Sequence, residues 1–111
     1  MSQSMIDPHV FDELQATAGA DFVVELVDTF AGEAPALLAE MRNALADGAA
    51  ERFRRAAHTL KSNGSTFGAT RMAEMARTLE LGGLPLNVDA VDALAHEFES
   101  TLAALQELAR A

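Results

Sequence analysis

The sequence predicts an all-α protein, an antiparallel up-and-down four-helix bundle with a short additional N-terminal helix. Three observations predict this fold. First, Ala and Leu dominate the 111 residues, Trp and Tyr are absent and β-branched residues are few, a composition that favours helices over strands. Second, apolar residues recur at spacings of three and four along most of the chain. Third, the segments between these periodic stretches are short, and short connections make neighbouring helices antiparallel.

The first two helices are predicted from capping residues and apolar periodicity. The first opens at Asp7-Pro8, where a carboxylate caps the helix and the missing proline N–H leaves nothing unpaired, and it is expected to end near Ala18-Gly19. A long second helix is predicted over residues 21–46, with a stop at Asp47-Gly48. We expect a kink or break at Pro35 inside it, because proline removes a backbone donor and crowds the preceding turn.

Three further helices follow. The third is predicted over residues 49–67, with Gly68 as a left-handed residue at its end. The fourth covers residues 69–81 and is ended by Gly-Gly-Leu-Pro at residues 82–85. Asn87 is expected to cap the last helix. Because we find no internal repeat and no long linker, we expect a single domain over residues 1–111. The initial Met and short tails favour a free-standing protein, and a domain of a longer protein is the alternative.

The overall composition excludes several classes of function. The chain contains no cysteine, so neither a disulfide framework nor a thiolate metal site is available. Apolar residues are dispersed and the first residues lack a basic-then-apolar signal pattern, which predicts a cytoplasmic protein without membrane association. The net charge of −9 argues against nucleic acid as a partner.

One segment reverses this acidic character. Between residues 51 and 78 the only acids are Glu51 and Glu74. Six of the eight basic residues lie there: Arg52, Arg54, Arg55, Lys61, Arg71 and Arg77. We expect this basic zone to contact something anionic, although a solvated, Arg-rich helix face is the alternative.

The third helix places one histidine of this zone on its outer surface. On a helical wheel five residues point in a common direction and form the predicted core stripe: Phe53, Ala57, Leu60, Gly64 and Phe67. His58 lies about 140° from Phe53 and therefore faces solvent. Its predicted neighbours are Arg54 one turn before, Lys61 and Ser62 one turn after, and Ser65 two turns after.

An imidazole between two cations suits the acceptance of a phosphoryl group. A neutral ring nitrogen is a good nucleophile near neutral pH, and fixed cations stabilise the charge on phosphoryl oxygens. The alternative is a merely solvated side chain, which is how we interpret His9 and His96, since neither has a lysine within a turn. A metal-binding bundle is disfavoured because no Glu lies three residues before any histidine.

Residues 58–69 resemble the signature of histidine-containing phosphotransfer (HPt) domains, His-x-Leu-Lys-Gly-Ser-(Ser/Ala)-x-x-x-Gly-Ala. The matching positions are His58, Leu60, Lys61, Gly68 and Ala69. The preceding Ala56-Ala57 is also usual in that family, and the number, order and lengths of the helices fit over nearly the whole chain. The departures from the signature are Ser62 and Asn63, where Gly and Ser are usual, and Gly64, which we expect to mark a close approach between helices.

The resemblance implies a role for each matching residue. His58 would carry the phosphoryl group, and Lys61 would lie beside the phosphate. Ser62, which departs from the signature, is small enough to keep the site open and to donate a hydrogen bond to the phosphoryl group. The surface that we expect to bind the partner, with help from the adjoining helix, is named here the His58 strip and comprises Arg54, Arg55, His58, Lys61, Ser62 and Ser65.

The resemblance also implies the reaction and the partners. A receiver-domain aspartate would donate to His58, which would pass the group to another receiver aspartate. The partners are then response-regulator receiver domains and a hybrid sensor histidine kinase. The chain would need no cofactor of its own because the receiver supplies Mg²⁺. Neither a P-loop nor a Gly-rich kinase loop occurs, so we expect a carrier without kinase activity. We expect a monomer because each helix shows only one apolar stripe. A helical adaptor that is never phosphorylated is the alternative.

Overall fold

The computed structural model describes residues 6–110, and these form five helices and no strand. The helices are α1 (Pro8–Ala18), α2 (Ala20–Asp47), α3 (Ala50–Thr66), α4 (Thr70–Leu81) and α5 (Asp89–Arg110). Helix α2 packs against α3 and α5, and α4 also packs against both of these helices, so the four close into a bundle. Helix α1 packs on α2. The predicted fold class is confirmed.

The helix ends follow the predicted capping residues. The Asp7 side chain accepts a hydrogen bond from the His9 backbone N–H at 3.0 Å, which satisfies one donor of the first turn of α1. Asn87 accepts from the Asp89 N–H at 2.9 Å in the same way at the start of α5. The boundaries of α2, α3 and α4 fall within one residue of the predicted ones.

Of the kink or break expected at Pro35, the break is wrong. Helix α2 continues from Ala20 to Asp47 with Pro35 inside it. Ala34, immediately before Pro35, and Leu38, one turn after it, are both buried in the core. Packing on both sides of Pro35 therefore holds the helix together despite the missing backbone donor, as tertiary contacts commonly override local propensity.

The core stripe of α3 lies where the wheel places it. All five predicted residues are buried, and the Phe67 ring packs 5.3 Å from the ring of Phe30 on α2. Phe30 in turn contacts Phe98 of α5 edge-on, with 5.2 Å between ring centroids. This aromatic cluster fixes the rotation of α3, and the opposite face of that helix is left exposed.

Two glycines allow neighbouring segments of the chain to pack closely against α3 and its C-terminal end. A Cβ on Gly64 would lie 3.3 Å from the Ala73 backbone nitrogen and 3.4 Å from the Ala69 carbonyl oxygen, so α3 and α4 pack with almost no side chain between them. Gly68 adopts φ +76°, and its carbonyl oxygen accepts from the Asp7 N–H at 2.7 Å. The predicted close approach at Gly64 and left-handed turn at Gly68 are both confirmed.

Within residues 6–110, none of the helices combines enough length with enough apolar character to cross a lipid bilayer.

Candidate functional site

His58 lies on the exposed face of α3, as predicted. Its neighbours Ala57 and Leu60 are fully buried, and this turns the imidazole away from the core. The His58 side chain is 52% exposed, so a partner can reach one edge of the ring. The other edge is occupied by a contact that the sequence did not predict.

That contact comes from Glu80 on α4. The His58 Nδ1 and Glu80 Oε2 atoms are 2.8 Å apart, within hydrogen-bond distance. The second carboxylate oxygen, Oε1, lies 3.4 Å from the Lys61 ammonium. Only 9% of the Glu80 side chain is exposed, whereas His58 and Lys61 lie above it at the surface. The three side chains therefore form one cluster, with the carboxylate beneath the two basic groups.

The charge of Glu80 determines which ring nitrogen is free. The hydrogen bond with His58 lowers the pKa of Glu80, desolvation raises it, and the nearby Lys61 ammonium lowers it further, so that the pKa lies below its usual value. Glu80 is therefore ionised at neutral pH and can only accept hydrogen bonds. In the neutral ring Nδ1 must then carry the proton, and Nε2 keeps its lone pair on the exposed side.

The predicted placement of His58 between two cations needs correction. Lys61 is near the ring, but the Arg54 guanidinium is turned to Glu51, to which its Nε donates at 3.2 Å. The two residues are three apart on α3, a spacing at which side chains meet readily. The group in direct contact with the imidazole is thus the Glu80 carboxylate, which the sequence pattern did not predict.

The remaining residues of the His58 strip are distributed around the ring. Arg55, Ser62 and Ser65 are exposed on α3. Ser65 and Lys61 line a groove of about 250 Å³ between α3 and α4, whose far end is formed by Val10 of α1. Arg55 lines a second groove, between α3 and α2. The strip is therefore bordered by a shallow groove on each side.

The sequence does not predict the contact of Glu80 with His58, because helical periodicity does not give the register between two helices. The close approach of Gly64 and Ala73 supplies that register. Ala57 lies seven residues before Gly64, and Glu80 lies seven residues after Ala73. Because the two helices are antiparallel, Ala57 and Glu80 lie at the same level. The only signal for Glu80 in the sequence is its position as an acidic residue just after the basic zone.

Across residues 6–110 no group of three or more His, Asp or Glu side chains is arranged as a metal site. The polar cluster at His58 contains one carboxylate, one imidazole and one ammonium, which suits the binding of an anion more than the binding of a cation.

Comparisons with known proteins place this geometry in a family. The family model described as Hpt domain matches residues 25–110. Among solved structures, the chain is similar to histidine-containing phosphotransfer protein B (HptB) from Pseudomonas aeruginosa PAO1, with a TM-score of 0.75 and 28% sequence identity over 98% of this chain and 94% of that chain. No curated protein matches significantly. The exposed histidine, the five helices and the matched model agree: the chain belongs to the Hpt domain family, histidine phosphotransfer proteins that act as phosphocarriers in phosphorelays.

Proposed function

We propose that His58 is the residue that carries the phosphoryl group, accepting it from the aspartate of one receiver domain and passing it to the aspartate of another. The observation that carries this proposal is the contact between the His58 Nδ1 and the ionised Glu80, at 2.8 Å, on an otherwise exposed ring. It leaves Nε2 as a nucleophile directed away from the bundle.

The transfer can be written from these atoms. The Nε2 lone pair attacks the phosphorus of the receiver's acyl phosphate, an N–P bond forms, and the P–O bond to the aspartate breaks. The electron pair of that bond stays with the receiver's carboxylate. Nδ1 keeps its proton, so the phosphorylated ring carries a positive charge that the Glu80 carboxylate stabilises. The reverse sequence delivers the group to the second receiver.

Lys61 and Ser62 act on the transferred group. The Lys61 ammonium lies one turn after the ring and is partly exposed, so that it can contact the equatorial phosphoryl oxygens. The Ser62 hydroxyl lies on the same face and can donate a hydrogen bond to them. Arg54, Arg55 and Ser65 extend the surface that the receiver covers.

The remaining chemistry belongs to the partner. The receiver contributes its acidic pocket and the Mg²⁺ bound there, and a hybrid sensor histidine kinase is the upstream source of the phosphoryl group. The chain itself acts as a cytoplasmic monomer and a carrier rather than a kinase. Its sequence contains no P-loop and no Gly-rich kinase loop, which supports this proposal.

Incubation with a ³²P-labelled, phosphorylated receiver tests the proposal. We expect label on this chain that is acid-labile and alkali-stable, as phosphohistidine is, and that is lost in His58→Gln. The matched control is His96→Gln, which changes an exposed histidine on α5 and should leave labelling intact. Lys61→Ala should slow transfer by about tenfold while the circular dichroism of the bundle is unchanged.

The alternative, an adaptor that is never phosphorylated, predicts a different outcome. The receiver would bind, and substitutions in the His58 strip would weaken binding, yet no label would reach the chain from any receiver that binds it. Label that survives in His58→Gln would also contradict the proposal, because the acceptor would then be another residue.

A further inference from the structure

Most cations of the basic zone are neutralised within the molecule. Four of them lie within 4 Å of a carboxylate on their own or a neighbouring helix, and these are Arg52, Arg54, Lys61 and Arg71. Arg77, on α4, makes no ion pair with any residue that the structure describes. In a chain with a net charge of −9, this guanidinium is exposed and available to an external anion.

Arg77 borders the site that contains His58. It lies one turn before Glu80 on α4 and lines the same groove of about 250 Å³ as Lys61 and Ser65. The groove is thus continuous with the His58 strip and places a second helix beside it. Although Arg77 belongs to the basic zone, the helical wheel of α3 could not place it near His58, because it lies on another helix.

An exposed leucine stands next to this arginine. Leu81 lies four residues after Arg77, so the two side chains are neighbours on the α4 surface. Leu81 is 65% exposed, although it directly follows the largely buried Glu80. Arginine is enriched at contact surfaces between proteins, and burial of an exposed apolar side chain beside it would stabilise such a contact.

We propose that Arg77 and Leu81 form a second docking strip, on α4, for the receiver domain. Arg77 binds a carboxylate that the receiver presents near its phosphorylated aspartate, and Leu81 packs on an apolar side chain beside that carboxylate. This inference rests on the proposed function of His58. It names two residues of α4 for a docking surface whose residues the sequence named only on α3.

The test separates docking from chemistry by measuring the receiver concentration that gives half-maximal transfer and the rate at saturation. Arg77→Ala should raise the half-maximal concentration by about tenfold and lower its dependence on salt, because a rim charge acts mainly on association. Leu81→Ala should raise it about fivefold. In both variants the saturating rate and the labelling by phosphoramidate, a small phosphoryl donor that needs no docking, should match the wild-type values.

Two control variants make the result decisive. Arg71→Ala removes the same charge nearer the start of α4, where Arg71 already faces Glu97 at 3.5 Å, and Leu108→Ala truncates an exposed leucine near the end of α5. Both should transfer like the wild type. If Arg77→Ala behaves like Arg71→Ala, the docking strip is refuted. If the wild type itself accepts no label from any receiver, the proposed function fails instead.

Discussion

Helix α3 contacts its two neighbours through polar groups of the same general kind, a basic side chain facing a carboxylate on the next helix. On the α2 side, Arg52 donates to Glu40 at 2.9 and 3.2 Å and to Asp47 at 3.0 Å. On the α4 side, His58 and Lys61 share Glu80. The Glu40 carboxylate is 40% exposed, whereas Glu80 is 9% exposed.

The difference between these two contacts explains why only one is suited to chemistry. Arginine is always charged and has only donors, so the Arg52 contact uses its hydrogen-bonding capacity on holding α2 and α3 together. A neutral imidazole has one donor and one acceptor. When Glu80 binds the donor, the acceptor remains as a nucleophile. A largely buried carboxylate beneath an exposed imidazole is therefore the feature that distinguishes a reactive site from a purely structural contact.

The largest effect should come from separating α3 from α4. Gly64→Leu places a side chain against the Ala73 nitrogen and the Ala69 carbonyl oxygen, and backbone atoms of a packed helix cannot move aside easily. We expect overpacking to cost about 3 kcal/mol and the better helix propensity of Leu to return about 1 kcal/mol, a net loss of about 2 kcal/mol. Thermal denaturation should then show a midpoint lower by roughly 10 °C.

The same substitution should also slow transfer, because Glu80 would move away from His58. The control is Gly32→Leu on α2, where an added Cβ meets no atom within 4 Å. That variant should be stabilised by up to about 1 kcal/mol and should transfer normally. Equal effects of the two substitutions would contradict a special role for the α3–α4 spacing.

The next largest effect should come from replacing Glu80, with Glu40 as the matched control. Glu80→Ala removes the group that fixes the imidazole, and we expect the transfer rate at saturating receiver to fall about tenfold. Glu80→Gln keeps an oxygen that can accept from Nδ1 and should recover part of the rate. Glu40→Ala breaks the contact on the α2 side and should leave the rate unchanged, although it lowers the denaturation midpoint slightly.

Proton NMR of the imidazole distinguishes orientation of the ring by Glu80 from a purely structural role of Glu80. In the wild type, the Nδ1 proton should be observable and protected from exchange, and in Glu80→Ala it should exchange rapidly. If transfer by Glu80→Ala equals that of the wild type while the Nδ1 proton is lost, orientation of the ring by Glu80 does not contribute to the reaction.

The contrast also shows which features a single sequence can predict. The helices, their caps and the exposure of His58 follow from local patterns, since Asp7, Asn87 and the apolar stripe of α3 act within one or two turns. The break at Pro35 was predicted from local propensity, and packing around Ala34 and Leu38 overrides it. Glu80 depends on the register between α3 and α4, which local patterns do not contain.

The observed charge pairs around His58 differ from the predicted ones for the same reason. The sequence counts charges but does not show which of them pair. Arg54 and Lys61 are both one turn from His58, yet the first is held by Glu51 on its own helix and the second by Glu80 on another. Conversely, Arg77 lies nineteen residues after His58 in the sequence, yet it lines the same groove as Lys61.

The smallest expected effect is the dependence of stability on acid pH. Hydrogen bonds from arginine lower the pKa values of Glu40 and Glu51, and the hydrogen bond with His58 lowers that of Glu80. Carboxyls whose pKa falls on folding bind fewer protons when folded than when unfolded. Their contribution is therefore fully present above the ordinary glutamate pKa of 4.5 and is lost as the pH falls through the lower value of the folded state.

Urea unfolding between pH 3 and pH 7 measures this dependence. The free energy of unfolding should be nearly constant with respect to these three groups above pH 5 and should decrease below it. Glu40→Gln and Glu80→Gln should each make the decrease less steep, because each removes one carboxyl that takes up a proton on unfolding. Only Glu80→Gln should also slow transfer at pH 7, where both carboxylates are ionised. An equal slope in the wild type and both variants would show that neither carboxylate is stabilised by its basic partner on folding.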